Sequence, residues 1–216
     1  MPNVEITPRT RMARCAHKAC YDKELIWQVL DSIPECTIAI CDPQTQYPRQ
    51  MVTTHWRVGD ALYIHGGIGS AFYKALVSGI PASVSVAATD GVVLARSAFE
   101  TSIHFRSVMI YGRFEAVTDP GEQRALFEAF YEHLLPGRWR EIRQPSDKEL
   151  AATYILRLPL TEIVAKISQG EPEDKAEDLQ IPSWGGVRVY QHGWGEFQPD
   201  SLSLELPLPD SVTRAG

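Results

Sequence analysis

Leu62-Tyr63-Ile64-His65-Gly66-Gly67-Ile68-Gly69-Ser70-Ala71-Phe72-Tyr73-Lys74-Ala75-Leu76 is the most informative stretch of the chain. Ala61 to His65 predicts a strand, the glycines at 66, 67 and 69 break it, and Ala71 to Val77 resumes with helical character before Gly79 and Pro81 stop it. A strand that passes through glycines into a helix start presents backbone N–H groups at the positive end of a helix dipole, which favours a phosphate. In that reading Ser70 caps the helix and offers a hydroxyl, and Lys74, one turn in, adds charge. The loop lacks the Gly-Lys-Ser/Thr of a Walker motif and the Gly-x-Gly-x-x-Gly dinucleotide fingerprint. An ordinary glycine-rich turn with a serine cap fits the same residues. His65 ends the strand beside the loop, where an imidazole either meets a ligand or sits as a satisfied structural histidine.

Working outward, Asp22 is an N-cap for a helix carrying Leu25, Ile26, Val29 and Leu30 on one face, a lid across a barrel end that closes at Pro34. Strands follow at Thr37 to Cys41 and Gln50 to Trp56, with a turn from Asp42 through Pro43 to Pro48 between them. Beyond the central stretch, Ala82 to Ala88 is a strand, Asp90-Gly91 signals a two-residue hairpin, and Val92 to Ala95 returns. Arg106 to Val117 is a long strand with Gly112 as a bend or bulge. Asp119-Pro120 starts an amphipathic helix with Leu126, Phe127, Phe130, Leu134 and Leu135 at helical spacing. Thr153 to Leu160 is expected to be the last strand. These elements divide the chain into an N-terminal arm at 1–20, a barrel domain at 21–168 and a charged linker with a wrapping tail at 169–216.

The 216 residues, 44% hydrophobic and 22% charged, suit one globular domain with a tail. A formal charge of −6 argues against nucleic acid as a partner, since that affinity rests on clustered Lys and Arg. No apolar run reaches the roughly 20 residues that span a bilayer, and no signal core follows Arg9, Arg11 and Arg14, so a cytoplasmic protein without a membrane partner is expected. Cys15, Cys20, Cys36 and Cys41 form two Cys-x4-Cys pairs with His17 inside the first, but no second ligand pair stands at zinc-site spacing. Cys36 and Cys41 flank a strand as small hydrophobes, and no metal site is expected. Ser97 to Ser107 is dense in polar groups between apolar strands, as a site wall would be. Arg106 and Ser107 there suit a phosphate or the polar edge of a ring, although an arginine at a strand end is otherwise a solvated or inter-subunit ion pair. No nucleophile elbow or Ser/His/Asp arrangement supports hydrolase chemistry.

Leu62 to Gly66, Asp90 to Phe99, Phe105 to Val108, Leu135 to Trp139, Ala165-Lys166 and Trp184 to Val187 together resemble the flavin-nucleotide-binding branch of the pyridoxamine 5′-phosphate oxidase-like superfamily, which includes the 5-nitroimidazole resistance reductases. The likeness runs from about Arg11 to Asp200. It implies a mainly β, α+β fold, a six-stranded antiparallel split β-barrel with flanking helices, working as a homodimer with one FMN at each of two subunit junctions. Carried over by position, Met51, Val52, Thr53 and Thr54 lie along the isoalloxazine ring, and His65 and Gly66 close one side. Ser70 and the amides after it match the phosphate turn, with Lys74 as a charge partner, while Ser107 and Trp184 reach a neighbouring subunit's flavin. Two positions depart from the family: Ala71 stands where an arginine usually follows the serine, and Glu100-Thr101-Ser102-Ile103-His104 replaces a His-His-Ser-Met-Asn run.

The resemblance implies an FMN-dependent oxidoreductase acting on a small molecule, in which the cofactor carries the electrons and the protein positions it. A non-catalytic flavin or haem protein is the second reading, since haem-binding split barrels belong to the same superfamily and His65, His104 or His192 offers an axial ligand. A dimeric scaffold that no longer holds a cofactor is the third. Pyridoxine-phosphate oxidation itself is disfavoured, because Arg188 and His192 are too isolated to make a second phosphate site.

Overall fold

A computed structural model describes residues 3–42 and 44–215; Pro43 of the expected turn and the extreme ends of the arm and tail lie outside them. Near the N-terminus Ala19–Cys20 forms a short strand, β1, and Asp22 caps α1 (Lys23–Ser32) by accepting the Leu25 N–H at 3.0 Å. Ile26, Val29 and Leu30 are buried as the spacing predicts, but Leu25, assigned to the same face, is 45% exposed. β2 (Glu35–Cys41) alternates, burying Cys36, Ile38 and Ile40.

The expected strand Gln50 to Trp56 is two strands, β3 (Pro48–Thr54) and β4 (Trp56–Val58), with His55 between them. The physical reason is a change of sheet: β3 pairs with β2, whereas β4 pairs with β5 (Ala61–Gly67). β5 runs on through Gly66 and Gly67, past the expected break, and leads to α2 (Ala71–Val77). The same switch divides the expected strand Arg106 to Val117 into β7 (Ser102–Arg113) and β8 (Glu115–Ala116), which belong to different sheets.

Between them lies the largest departure from the sequence reading. Asp90-Gly91 is no hairpin turn; β6 (Pro81–Leu94) passes straight through it. Ala82, Val84 and Val86 are buried at even positions, and beyond Asp90-Gly91 the buried residue is Val93, an odd one. A one-residue change of phase is what a bulge produces in a continuous strand. The glycine is needed because β11 (Gly186–Val189) pairs there, and a Cβ on Gly91 would stand 2.9 Å from the Arg188 carbonyl oxygen. The Asp-Gly pair therefore marks a close strand approach.

Nor is Thr153 to Leu160 the last strand. α3 (Pro120–Leu134), capped by Asp119, and α4 (Asp147–Ala151), with a capping box from Ser146 and Glu149, precede β9 (Thr153–Pro159), and β10 (Glu162–Ser168) follows it. The strands make one sheet of seven, ordered β1-β10-β7-β6-β2-β3 with β11 also on β6, and one of four, ordered β4-β5-β9-β8. Eleven strands occur among the described residues, and the α+β class and antiparallel pairing are as expected.

Two units divide along these sheets. The seven-stranded sheet belongs to a unit made of the segments up to Thr54, Pro81–Gly112 and Leu160–His192; the other holds His55–Ile80, Arg113–Pro159 and the chain from Gly193. In the first, the charged stretch Gly170 to Asp178 is pinned by Asp174, whose side chain is only 2% exposed and accepts both the Arg96 backbone N–H and Nη1, each at 2.7 Å. In the second, α5 (Asp210–Ala215) docks through Ser211, which donates from its N–H at 2.9 Å and from its hydroxyl to the carboxylate of Glu141 in a 3₁₀ turn, Arg138–Glu141. No helix among the described residues is long and apolar enough to cross a membrane.

Candidate functional site

The corner between β5 and α2 is built as the opening stretch predicts. Ser70 caps α2 by accepting the Tyr73 N–H, and Lys74 lies on the exposed side of the helix. Several donors of the turn are already used within the chain: Ile68 N–H reaches the Ala152 carbonyl at 3.1 Å and Ser70 N–H reaches the Gly67 carbonyl at 3.0 Å. Gly66 is needed for packing, since a Cβ there would lie 2.3 Å from the Tyr73 ring, and the Tyr73 hydroxyl donates to the His65 carbonyl.

The His65 side chain packs among aromatic rings. Its ring centroid is 5.8 Å from Trp56, 5.7 Å from Phe127 and 5.1 Å from Phe130, with the two phenylalanines meeting it edge-on. Trp56, Tyr63 and Phe130 belong to a buried cluster that also takes in Val117, Leu126 and Ile155. Burial in this apolar setting lowers the imidazole's pKa, because desolvation penalises the charged ring, so His65 is neutral at neutral pH. Nδ1 of His65 and Nε1 of Trp56 are both buried without a hydrogen-bond partner in the described chain. A neutral imidazole among aromatic rings, with no hydrogen bond to its side chain among the described residues, keeps a nitrogen lone pair that can coordinate a bound group.

In the other unit, Met51, Val52, Thr53 and Thr54 lie on β3, at the outer end of the strand order. An edge strand directs alternate backbone N–H and C=O groups away from its single neighbour, and such groups can bond the polar edge of a flat heterocycle. Arg106 and Ser107 stand on β7, opposite Ile167 and Lys166. The Arg106 guanidinium pairs within the chain with Asp90 at 3.1 Å, in place of the solvated or inter-subunit pair of its alternative reading, while its buried Nε has no partner among the described residues; the Ser107 hydroxyl donates to the Lys166 carbonyl at 3.3 Å. Trp184 precedes β11 with its side chain largely exposed, its ring over Gly186, where a Cβ would come within 2.6 Å. Of the other two histidines named as axial-ligand candidates, His104 is half-buried on β7, and His192 is exposed with Nε2 at 2.7 Å from the Thr89 carbonyl oxygen. Among the described residues no three His, Cys, Asp or Glu side chains group as a metal site.

The family model described as pyridoxamine 5′-phosphate oxidase matches residues 22–167, which span β2 to β10 and both sides of the β5–α2 corner. The chain belongs to the pyridoxamine 5′-phosphate oxidase family. Within the fold of this family, the FAD and haem binding protein from Mycobacterium smegmatis shares 39% identity over 92% of this chain and 97% of its own, with a TM-score of 0.83. The flavocytochrome Anf3 from Azotobacter vinelandii shares 31% identity over 100% of this chain and 99% of its own, with a TM-score of 0.90. A putative 5-nitroimidazole antibiotic resistance protein from Bacteroides thetaiotaomicron, 19% identical over 69% of this chain and 86% of its own at a TM-score of 0.58, shares the fold. No curated protein matches the chain.

Trp56, Phe127, Phe130 and Tyr73 are the site neighbours that sequence reasoning did not single out. Phe127 and Phe130 carried a signal as the apolar face of α3; Trp56 was absorbed into a strand, and nothing in the sequence places Tyr73 over Gly66.

Proposed function

We propose that this member of the pyridoxamine 5′-phosphate oxidase family binds both a flavin and a haem and acts as an oxidoreductase on a small molecule, as a homodimer with the flavin at the subunit junction. The observation that carries this reading is the near full-length similarity to two proteins, one described as binding FAD and haem and the other as a flavocytochrome. The chain's own residues fit both groups. The β3 edge suits the flavin ring, and exposed Val52 and Trp184 suit contact with a second copy. The His65 pocket suits haem, with its neutral ring and aromatic walls. A bound flavin supplies two-electron chemistry and a bound haem one-electron chemistry; the residues orient both and exclude water. FMN, implied by the family resemblance, and FAD, bound by the Mycobacterium relative, share the isoalloxazine ring and differ in the adenylate. Ala71 provides no guanidinium for a terminal phosphate, which favours the larger flavin with its additional contacts.

The test is the absorption spectrum of the purified chain after titration with FMN, FAD and haemin, together with chromatography of whatever flavin is released on denaturation. Flavin bands plus a Soret band, with FAD retained more tightly than FMN, are expected. A chain that takes up neither cofactor overturns the reading. His65→Ala is expected to lose the Soret band and keep flavin, while His104→Ala and His192→Ala keep both; a Soret band that survives His65→Ala removes His65 from the haem site.

A further inference from the structure

Two buried nitrogen atoms on neighbouring strands lack a hydrogen-bond partner among the described residues, and they lie in rings that meet at a tilt. Trp56 on β4 is 1% exposed and its Nε1 is buried and unbonded; His65 on β5 has a buried, unbonded Nδ1; and the two ring centroids are 5.8 Å apart at an interplanar angle of 55°. The register sets this up, because Trp56 pairs with Tyr63, two residues before His65 on the same strand face. A buried indole N–H left unmade is costly, and native interiors satisfy nearly all such groups with protein or with ordered water. Phe127 and Phe130, which pack on the His65 ring, offer no acceptor, and neither nitrogen finds a partner elsewhere among the described residues.

We propose that one internal water occupies this place, accepting from the Trp56 indole N–H and bonded to His65 Nδ1, so that Trp56 is a positioning residue for His65. The two nitrogens supply the roughly two or more polar partners that a buried water requires. With Nδ1 engaged inward, the ring is held against rotation about its χ2 angle and Nε2 is the nitrogen left to face a ligand. This relation between an inner partner and the outward nitrogen is the one that orients a metal-ligating histidine. The water bridge is a property of the chain alone; its consequence for a metal rests on the haem reading above.

The experiment uses the full chain without haem, labelled with ¹⁵N, at one fixed pH. A cross-peak between the Trp56 indole proton and a long-lived water, and a shift of the His65 Nδ1 resonance in Trp56→Phe, are the expected results. Because Trp56→Phe leaves a smaller ring in a packed core, a second variant replaces Trp56 with benzothienylalanine, which keeps the indole's shape and loses only the N–H; it is expected to move Nδ1 in the same way. An Nδ1 resonance unmoved in both variants, or an indole proton with no bound-water contact, overturns the proposal. In haem-loaded protein, Trp56→Phe is expected to keep the Soret band and shift the midpoint potential, and an unshifted potential overturns the positioning role. A chain that takes up no haem refutes the haem reading and leaves the NMR result to decide the water bridge.

Discussion

The Tyr73 hydroxyl donates to the backbone carbonyl of His65, so the first turn of α2 holds the end of β5 at the residue whose side chain enters the aromatic pocket. The same tyrosine ring occupies the space that a Cβ on Gly66 would need. The backbone of His65 is thereby held in place, while its ring is oriented separately.

Gly66→Ala is expected to destabilise the fold by about 1–3 kcal/mol through overpacking against Tyr73, and Tyr73→Phe by about 1 kcal/mol through the lost hydrogen bond. Urea denaturation measures both. Tyr73→Ala, which vacates the space, is expected to relieve the clash, so that Gly66→Ala costs less in that background; equal costs in the two backgrounds would show that the ring contact is not the cause.

Gly91→Val should detach β11 from β6, because the close approach to the Arg188 carbonyl leaves no room for a side chain. The prediction is faster amide exchange at Gly186–Val189 and new protease cleavage near that segment, with β2 and β3 unaffected. Protection unchanged at Val187 and Val189 would sink it.

Asp174 gives a pH signature. Hydrogen bonds from the Arg96 backbone and guanidinium hold its carboxyl below the usual aspartate value of 3.8. A carboxyl with a depressed folded-state pKa contributes stability that is present above its unfolded value and is lost as pH falls through the folded one. Asp174→Asn is therefore expected to destabilise the 170–178 stretch at pH 7 and to match the wild type once both are well below pH 3.8. Melting temperatures across that range, with proteolysis of the stretch, provide the check.

Thiol labelling separates the four cysteines. Burial pushes the Cys36 thiol up to about 12, so it holds almost no thiolate at neutral pH, whereas Cys15 and Cys41 are exposed. A disulfide reagent should modify Cys15 and Cys41 quickly, Cys20 more slowly and Cys36 only after denaturation. Rapid labelling of Cys36 in the folded chain would contradict its burial.

The elements legible in the sequence were those with a local cause. Asp22, Ser70 and Asp119 each announce a helix through a cap, and α1, α2 and α3 begin where those caps predict. Strand ends were legible only where one strand serves one sheet. At His55 the chain changes sheets without a glycine or proline to mark it, and at Phe114 it does so two residues after Gly112, whose signal is only that of a bend or bulge, because the choice of partner strand is made far away in sequence. Asp90-Gly91 misled for the opposite reason: its local signal is that of a turn, and the strand that needs the missing side chain lies almost a hundred residues downstream. The His65 pocket shows the same division. The histidine stood beside a conspicuous loop, whereas Trp56, Phe127 and Phe130 reach it from three separate positions along the chain.

The open side of β3 bears on how the protein behaves at high concentration. A strand with a single neighbour and an outward Val52 is a template on which another chain can add itself, and Pro48 and Arg49 discourage such addition only at its beginning. A flavin or second copy lying along β3, as proposed above, would therefore also guard against fibrous self-association. Rising turbidity and thioflavin fluorescence in concentrated samples without added flavin, suppressed by adding flavin and preceding any loss of secondary structure, are the expected signs.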